Sequence, residues 1–437
     1  MAHSVGCSPT CLRTQGGALR SLRAVTGTMI ESVNGCLGGP AGRAAKHARA
    51  ALFVVLILLP AGASAQTSFP PITNRNFNID LFEQPALGSP RLIAMSGAIN
   101  AVAEGAAGLY TNPASAAVRP ETRTGKFAWS VALNTYVAAN GQDSNDSGQV
   151  VTSVHRSILS AAGLLLQYGQ WGLSIDGGYT AQDISAEAGA GLGVRSIVGH
   201  IGLARTFLEQ SISVGVGVRV GGPNVYTLDS SHQTLFTRIG AAPDGGVIWL
   251  PRGRDFRLAV SGGLPFKTWP IRFNCDPYNC DRYILPSNAI VPWDATVGGA
   301  WRFGPTPWNE RIEGDYRDER QLTVALELGL IGAIDNGYGM EAFAAKELQV
   351  SGRNISPTPR LGLESEVIRG WLKLRAGSYL EASRFPETSA RPHGTAGFEV
   401  RVFAFRLGGH ERRVSISAAG DLAPRYKNLA LSVGFWD

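Results

Sequence analysis

From about residue 127 to the C-terminus the chain alternates between apolar and small or polar side chains. Ile212, Val214, Val216, Val218 and Val220 are interleaved with Ser213, Gly215, Gly217, Arg219 and Gly221. Leu322, Val324, Leu326, Leu328 and Leu330 alternate with Thr323, Ala325, Glu327 and Gly329, and Leu429, Leu431, Val433 and Phe435 with Ala430, Ser432 and Gly434. A period of two puts one set on each face of a strand. A soluble sandwich alternates too, but its outer faces meet water and are well charged. Here the second face is mostly Gly, Ala and Ser with an occasional charge. That suits an all-β transmembrane antiparallel β-barrel whose apolar side meets lipid and whose polar side lines a lumen. The segments also reach the length of about 9–11 residues that a tilted strand needs to cross a bilayer.

Fourteen strands are predicted: 127–137, 157–168, 171–180, 193–207, 211–221, 256–264, 293–303, 321–331, 339–348, 359–368, 371–380, 393–405, 413–420 and 428–436. Residues 245–250 are a fifteenth candidate. Single-chain bacterial barrels usually have even counts, so this stretch is assigned to a long loop, 222–255. With both barrel ends in the periplasm, Gly169-Gln170, Leu208-Glu209-Gln210, Asp335-Asn336-Gly337 and Arg369-Gly370 become short periplasmic turns. The connections 138–156, 222–255 and 304–320 become longer outer loops. Segment 265–292 disagrees, being long yet periplasmic: either the register slips near 245–264 or this segment has its own role. Trp129, Tyr168, Trp171, Trp301, Trp371 and Trp436 near strand ends read as interfacial girdles or as ordinary core rings. The final strand, closing on Phe435-Trp436-Asp437, resembles the signal read by the barrel-assembly machinery, with Asp437 as a departure.

Composition narrows the picture. Only 17% of the 437 residues are charged and 54 are glycine, which excludes a disordered or heavily charged chain. Of the net charge of +6, residues 1–65 supply +5, from six basic side chains (Arg13, Arg20, Arg23, Arg43, Lys46, Arg49) against Glu31. About +1 remains for the rest, without a basic stripe, so nucleic acid is excluded as a partner. Arg43, Lys46 and Arg49 precede an apolar run at 50–59, then Pro60 and Ala63-Ser64-Ala65, the layout of a signal peptide cleaved after Ala65. Ten residues span roughly 15 Å of a bilayer core of roughly 30 Å, too little for an anchor. Residues 1–28 look surplus, with Met29 an alternative start. No later stretch is apolar for long enough to be a helical span. Cys275 and Cys280 remain after cleavage, and an even pair in an exported chain is most simply a disulfide; a metal site there lacks further ligands.

Residues 66–126 do not alternate. They contain Met95-Ser96-Gly97-Ala98 through Glu104-Gly105-Ala106 to Asn112-Pro113-Ala114. This resembles the N-terminal region of the FadL-like barrels, including the PorV-type secretion barrels, where a Gly-rich stretch and an acidic pair precede Asn-Pro-Ala. One acid of the pair is missing here. The hairpin from Leu361-Gly362-Leu363-Glu364 to Trp371-Leu372-Lys373-Leu374-Arg375-Ala376-Gly377 is also similar to that family. The resemblance implies a barrel at 127–437 plugged by an N-terminal hatch at 66–126. Ala98–Leu109 has helix-compatible composition, and Pro113 is expected to end that helix.

The implied function is passage of hydrophobic small molecules, fatty acid-like or aromatic, across the outer membrane of a Gram-negative bacterium. The implied surroundings are outer-membrane lipid and, at assembly, the barrel-assembly machinery. Candidate lumen and ligand residues are Arg219, Glu327, Glu364, Lys373, Arg375, Glu399 and Arg401, an arginine being able to hold a carboxylate bidentately. Mixed lumen charges also commonly pair with one another. The alternative is a PorV-type scaffold with a secretion partner, for which 222–255 and 265–292 are large enough surfaces. An enzyme is not expected: His155, His200, His232, His393 and His410 show no metal-ligand spacing, and no nucleophile elbow or phosphate loop is present. No metal or cofactor is expected.

Overall fold

The computed structural model describes residues 69–437 apart from 83–87, 110, 120–125, 139–142, 144, 149–157, 186–190, 230, 274, 311–315, 408–409 and 437. The signal peptide assigned to the leader, with its run at 50–59 and cleavage after Ala65, lies outside these residues.

Fourteen antiparallel strands form one closed wall. They are β1 (Phe127–Ala138), β2 (Ile158–Tyr168), β3 (Trp171–Ser185), β4 (Gly191–Phe207), β5 (Ile212–Thr227), β6 (Thr234–Trp249) and β7 (Phe256–Gly263). The second half is β8 (Asp294–Phe303), β9 (Leu322–Ile331), β10 (Ser356–Ile368), β11 (Leu372–Glu381), β12 (Arg391–Leu407), β13 (His410–Ala423) and β14 (Tyr426–Phe435). Each strand pairs with the next, and β14 returns to β1 from Asn428↔Ala138 to Gly434↔Ala132. The two faces follow the alternation. Leu133, Ile201, Val216, Leu326 and Leu431 point outward and are 46–63% exposed. Their neighbours Ser130, Ser213, Thr323 and Glu364 point inward and are at most 3% exposed. A continuous apolar belt of this size is a liability in water and the required surface in a bilayer.

The count of fourteen is met through two offsetting differences. Residues 245–250 are not in a loop: 245–249 complete β6, and the supposed loop 222–255 is mostly the upper parts of β5 and β6. The inner face of β6 reads Arg238, Gly240, Ala242, Asp244 and Gly246, and Pro243 interrupts the outer one, so alternation is faint there. Pro243 is tolerated because of its place. The β6–β7 ladder ends at Asp244↔Gly263, and pairing with Trp269–Phe273 begins only at Ile239. The Pro243 carbonyl faces that gap, where Leu264 N–H reaches it at 3.1 Å, so the missing N–H on the same side costs no ladder bond. Conversely, 339–348 is not a strand. It contains a short helix, α2 (Met340–Ala344), whose Phe343 ring packs near Phe77, Phe236 and Tyr283.

These corrections exchange the ends of the intervening connections. Segment 265–292 and turn 335–337 now share an end with the β1–β2, β3–β4 and β13–β14 connections, called here the loop end. The connection 304–320 joins the tight turns at 169–170, 208–211 and 369–371 at the short-turn end. The disagreement over 265–292 was therefore a register slip.

At the loop end a small sheet sets Asn78–Asp80 parallel to both Asn288–Val291 and Gly337–Tyr338. Beneath it Phe77, Leu235, Phe236, Leu285 and Phe343 form an apolar cluster. Cys275 and Cys280 are joined by the expected disulfide, Cα–Cα 5.2 Å, with Cys280 inside that cluster. From the small sheet at the loop end the described chain runs down the lumen as residues 88–119 and enters β1 at the short-turn end.

Candidate functional site

A wide barrel cannot fill its lumen with wall side chains, and here residues 88–119 occupy it. Their conformation differs from the expected helix. The helix is α1 (Pro90–Ala94), capped by Ser89 Oγ, which accepts the Leu92 N–H at 3.2 Å. Residues 98–109 are turns, ending in one 3-10 turn, Ala106–Gly108. Pro113 does not end a helix but opens a second 3-10 turn, Pro113–Ala117, where its missing N–H and fixed φ suit the first position. Asn112 caps that turn: its Oδ1 accepts the Ala114 N–H at 2.9 Å while its Nδ2 donates to Asn100 Oδ1 at 2.6 Å. Asn112, Pro113 and Ala114 are all buried against the wall. The wall makes room with glycine: a Cβ on Gly215 would collide with the Ala114 backbone, and one on Gly246 with the Asn112 side chain.

Inward-facing polar groups tie the segment down. Ser213 Oγ donates to Ala114 O at 2.6 Å, and Gln167 Nε2 to the carbonyls of Ala116 and Val118 at 2.9 and 2.8 Å. Ser96 Oγ and Thr395 Oγ1 share a hydrogen bond of 2.8 Å. Three ionic latches complete the attachment. Arg91 meets Glu364 at 2.9 Å, and Arg375 bridges Glu364 to Glu399. Asn100 N–H donates to Glu327 Oε2 at 3.0 Å, and Glu327 also pairs with Arg360 at 2.9 Å. Glu104 pairs with the buried Arg257, which also donates to Asn309. Leu92, Met95, Ile99, Val102 and Val118 meet Ile248, Leu250 and Trp308 in an apolar core inside the barrel.

Of the residues singled out by sequence, Glu327, Glu364, Arg375 and Glu399 thus belong to the latches. Lys373 lies against the Trp436 ring at 4.4 Å. Arg401 is apart from them, stacked at 4.0 Å on the half-exposed Trp371 at the short-turn end. Arg219 lies on the other side of the inner segment, paired with Asp294 at 2.5 Å.

Arg219 and Asp294 line a cavity of about 280 Å³ between the inner segment and the loop end. Its polar floor includes Thr111, Glu327 and Arg360; its upper walls are Leu81, Phe82, Phe266, Val291 and Ile331, with Val198 from β4. Both arginines bordering it carry an ion-pair partner. Across β4, on the outer face, lies a broad apolar hollow of about 860 Å³ that includes Leu133, Tyr179, Ile197 and Leu431. Ile197 and Val198 border both spaces.

Sequence reasoning missed Phe82 and Phe266, whose segments do not alternate, Asp294 at the very start of β8, and the pairing of His200 with Asp176 at 3.1 Å and Asp244 at 3.2 Å. That trio is signalled only once the register is known, because Asp176 stands directly opposite His200. Among the described residues no group of three or more His, Cys, Asp or Glu side chains has metal-holding geometry.

No protein-family model matches the sequence, and no curated protein does. Solved structures do. A Pseudomonas aeruginosa FadL homologue superposes with a TM-score of 0.50 at 9% identity, over 84% of this chain and 99% of that one. The CymD monoaromatic hydrocarbon channel gives 0.49 at 11% identity, over 81% and 97% of the two chains. The Pseudomonas putida toluene transporter TodX gives 0.47 at 10%, over 80% and 98%. The superposition on the FadL homologue shows that the fold of this chain is that of the FadL-like barrels.

Proposed function

We propose that the chain is an outer-membrane channel for small, uncharged hydrophobic molecules, with residues 88–119 as its hatch and the cavity above them as its binding chamber. The loop end then faces outward and the short-turn end faces the periplasm. The observation that carries this reading is the chamber itself: apolar walls closing on a polar floor, inside a barrel whose outer face is lipid-compatible. Its size, about 280 Å³, lies at the small end of ligand pockets. Charge selects further. A carboxylate ligand would have to displace Asp294 from Arg219 or Glu327 from Arg360, whereas a neutral ring disturbs neither pair. This favours aromatic-sized neutral compounds over fatty acids.

The test is gentle extraction of the full-length barrel followed by mass spectrometry of bound small molecules, with naphthalene and decanoate then compared as added ligands. Retention of a neutral hydrophobic compound and preference for naphthalene support the reading. An empty barrel that carries a stoichiometric protein partner overturns it in favour of a PorV-type scaffold.

A further inference from the structure

The outward face of β4 carries two arginines, Arg195 and Arg205, with Ile197, Gly199, Ile201 and Leu203 between them. That stretch of strand runs about 33 Å, and at a tilt of about 40° it climbs about 25 Å, the height of the apolar band of a membrane barrel. The two guanidiniums therefore mark the two borders of the band. Arg195, toward the loop end, has its counter-charge: it pairs with Asp183 at 2.8 Å and lies over the Tyr226 ring at 5.1 Å. Arg205, at the short-turn end, is exposed and has no carboxylate partner among the described residues. Aromatic rings hold it instead. Its guanidinium lies 5.0 Å from the centre of the Trp171 ring and 5.1 Å from that of Phe207.

The surroundings of Arg205 add two observations. Phe127, Tyr168, Trp171 and Arg205 stand directly opposite one another on β1 to β4, and the three rings are 47–65% exposed. Arg205 thus belongs to a row of rings of the kind that settles at the headgroup level of a bilayer. The rim just beyond that row is basic. Lys126, Arg254, Arg320, Arg369 and Arg406 are exposed there, each at a different strand end or connection. Of the exposed acids at this end among the described residues, Glu209 pairs with Arg252 and Asp318 with Arg413, which leaves Glu310. A cation held between rings at headgroup height, in a rim short of anions, is complementary to an anion supplied by the lipid.

We propose that Arg205, with Trp171 and Phe207, is a binding site for the phosphate of an anionic glycerophospholipid in the leaflet at the short-turn end. The inference rests on the outer-membrane placement proposed above, in which this leaflet is the periplasmic one and is built of glycerophospholipid. The guanidinium is planar, stays charged, and presents a fork of N–H donors that matches two phosphate oxygens. Lying over Trp171 engages its face, and its N–H edge serves the lipid. The acyl chains then run along Leu203 and Ile201 toward the middle of the bilayer. The basic rim attracts the same headgroup from a distance. Arg195, already neutralised by Asp183, has no such role.

The experiment titrates the full-length barrel in neutral detergent with phosphatidylglycerol and, separately, with phosphatidylcholine, and native mass spectrometry reads the first lipid adduct. Wild type is expected to hold phosphatidylglycerol about fivefold more tightly or better. Arg205→Gln, which removes no wall hydrogen bond, should abolish most of that preference, whereas Arg195→Gln should keep it. Equal affinity of wild type for the two lipids, an unchanged preference in Arg205→Gln, or an equal loss in Arg195→Gln overturns the proposal. Displacement of the lipid by an equal concentration of inorganic phosphate overturns the lipid assignment in favour of a free anion. Failure of the barrel to insert into liposomes of these lipids overturns the membrane placement and the inference together; insertion without a preference overturns the inference alone.

Discussion

Replacing Asn112 with alanine isolates the contribution of one side chain to closing the lumen. Asn112 is fully buried; its Oδ1 caps the Pro113–Ala117 turn and its Nδ2 satisfies Asn100. Loss of a cap costs about 1 kcal/mol. Leaving the buried Asn100 acceptor unpaired adds about 1–3 kcal/mol. The sum of about 2–4 kcal/mol falls on the inner segment, because the wall strands keep their ladders. At about 1.4 kcal/mol per tenfold, local opening of residues 100–118 becomes about 30 to 700 times more frequent. Hydrogen–deuterium exchange at the Ala114 and Ser115 amides reads this directly. Asn112→Ser keeps a capping oxygen and loses the bond to Asn100, so it belongs near the lower end of that range. Gly246→Val drives a side chain into the space of Asn112 from the wall, and should reproduce the alanine phenotype by an independent route. Unchanged exchange in both Asn112→Ala and Gly246→Val would refute the idea that this residue holds the segment.

The remaining expectations concern the proposed chamber and its surroundings. Val198→Trp places an indole in the chamber from β4 and should reduce naphthalene binding at least tenfold with the barrel still resistant to detergent unfolding; unaltered binding would remove the ligand from this cavity. Asp294→Asn frees Arg219 from its partner and should raise decanoate affinity relative to naphthalene by about tenfold or more, since guanidinium matches a carboxylate bidentately. Competitive binding measures the ratio, and an unchanged ratio would contradict selection by charge pairing. Replacing both Cys275 and Cys280 with serine opens a loop of sequence separation 5 and should cost about 2 kcal/mol locally. Limited proteolysis within 264–293 should then speed up about 30-fold, and an equal rate would show that the apolar cluster alone holds the segment.

The barrel was legible because the bilayer imposes a strict code on its wall. Within the belt, the outward positions of β5 from Ile212 to Val220 and of β9 from Leu322 to Leu330 are apolar and the positions between them are small or polar, so a period of two survives without any relative to compare. The code weakens where the wall leaves the apolar belt. The upper part of β6 faces the loop-end cluster through Phe236 and the small sheet through Arg238, which donates to the carbonyls of Thr268, Pro286 and Ser287. Apolar and polar side chains there obey local packing, and the strand was hidden. Met340 and Phe343 in α2 mimicked a strand for the same reason, as they answer to the cluster and not to lipid. Inside the lumen no periodicity applies at all. Asn112-Pro113-Ala114 marked the inner segment by resemblance, but its role as a capped 3-10 turn depends on Asn100 and Gly246, far away in sequence. The charged residues were found by parity; their partners were not, because parity assigns a face and leaves the height within the barrel unstated.

The way the inner segment is held bears on how a channel of this kind would open. Displacing all of residues 88–119 would break the Arg91–Glu364, Asn100–Glu327 and Glu104–Arg257 contacts. It would also uncover Leu92, Met95, Ile99, Val102 and Val118. Five apolar side chains at about 1.5–3 kcal/mol each already amount to about 8–15 kcal/mol. Separating a buried ion pair costs several kcal/mol more, although water entering the lumen would recover part of it. Even the lower figure leaves the fully open form below about one molecule in 10⁵. Wholesale ejection of the inner segment is therefore too rare to serve as a gate in the proposed channel, where movement would be confined to the part with fewest ties. Among the described residues that part is 105–109 with Thr111, between the Glu104 latch and the Asn112 cap, where Ala106 N–H to Ser130 Oγ at 3.4 Å and Ser261 Oγ to Thr111 O at 3.0 Å are the hydrogen bonds to the wall. Among the described residues of this stretch, Thr111 borders the chamber floor. A segment anchored by the Glu104–Arg257 ion pair at one end and the Asn112 cap at the other, and lightly bonded between them, can yield beneath a bound molecule without leaving the barrel, which is the behaviour the proposed function requires.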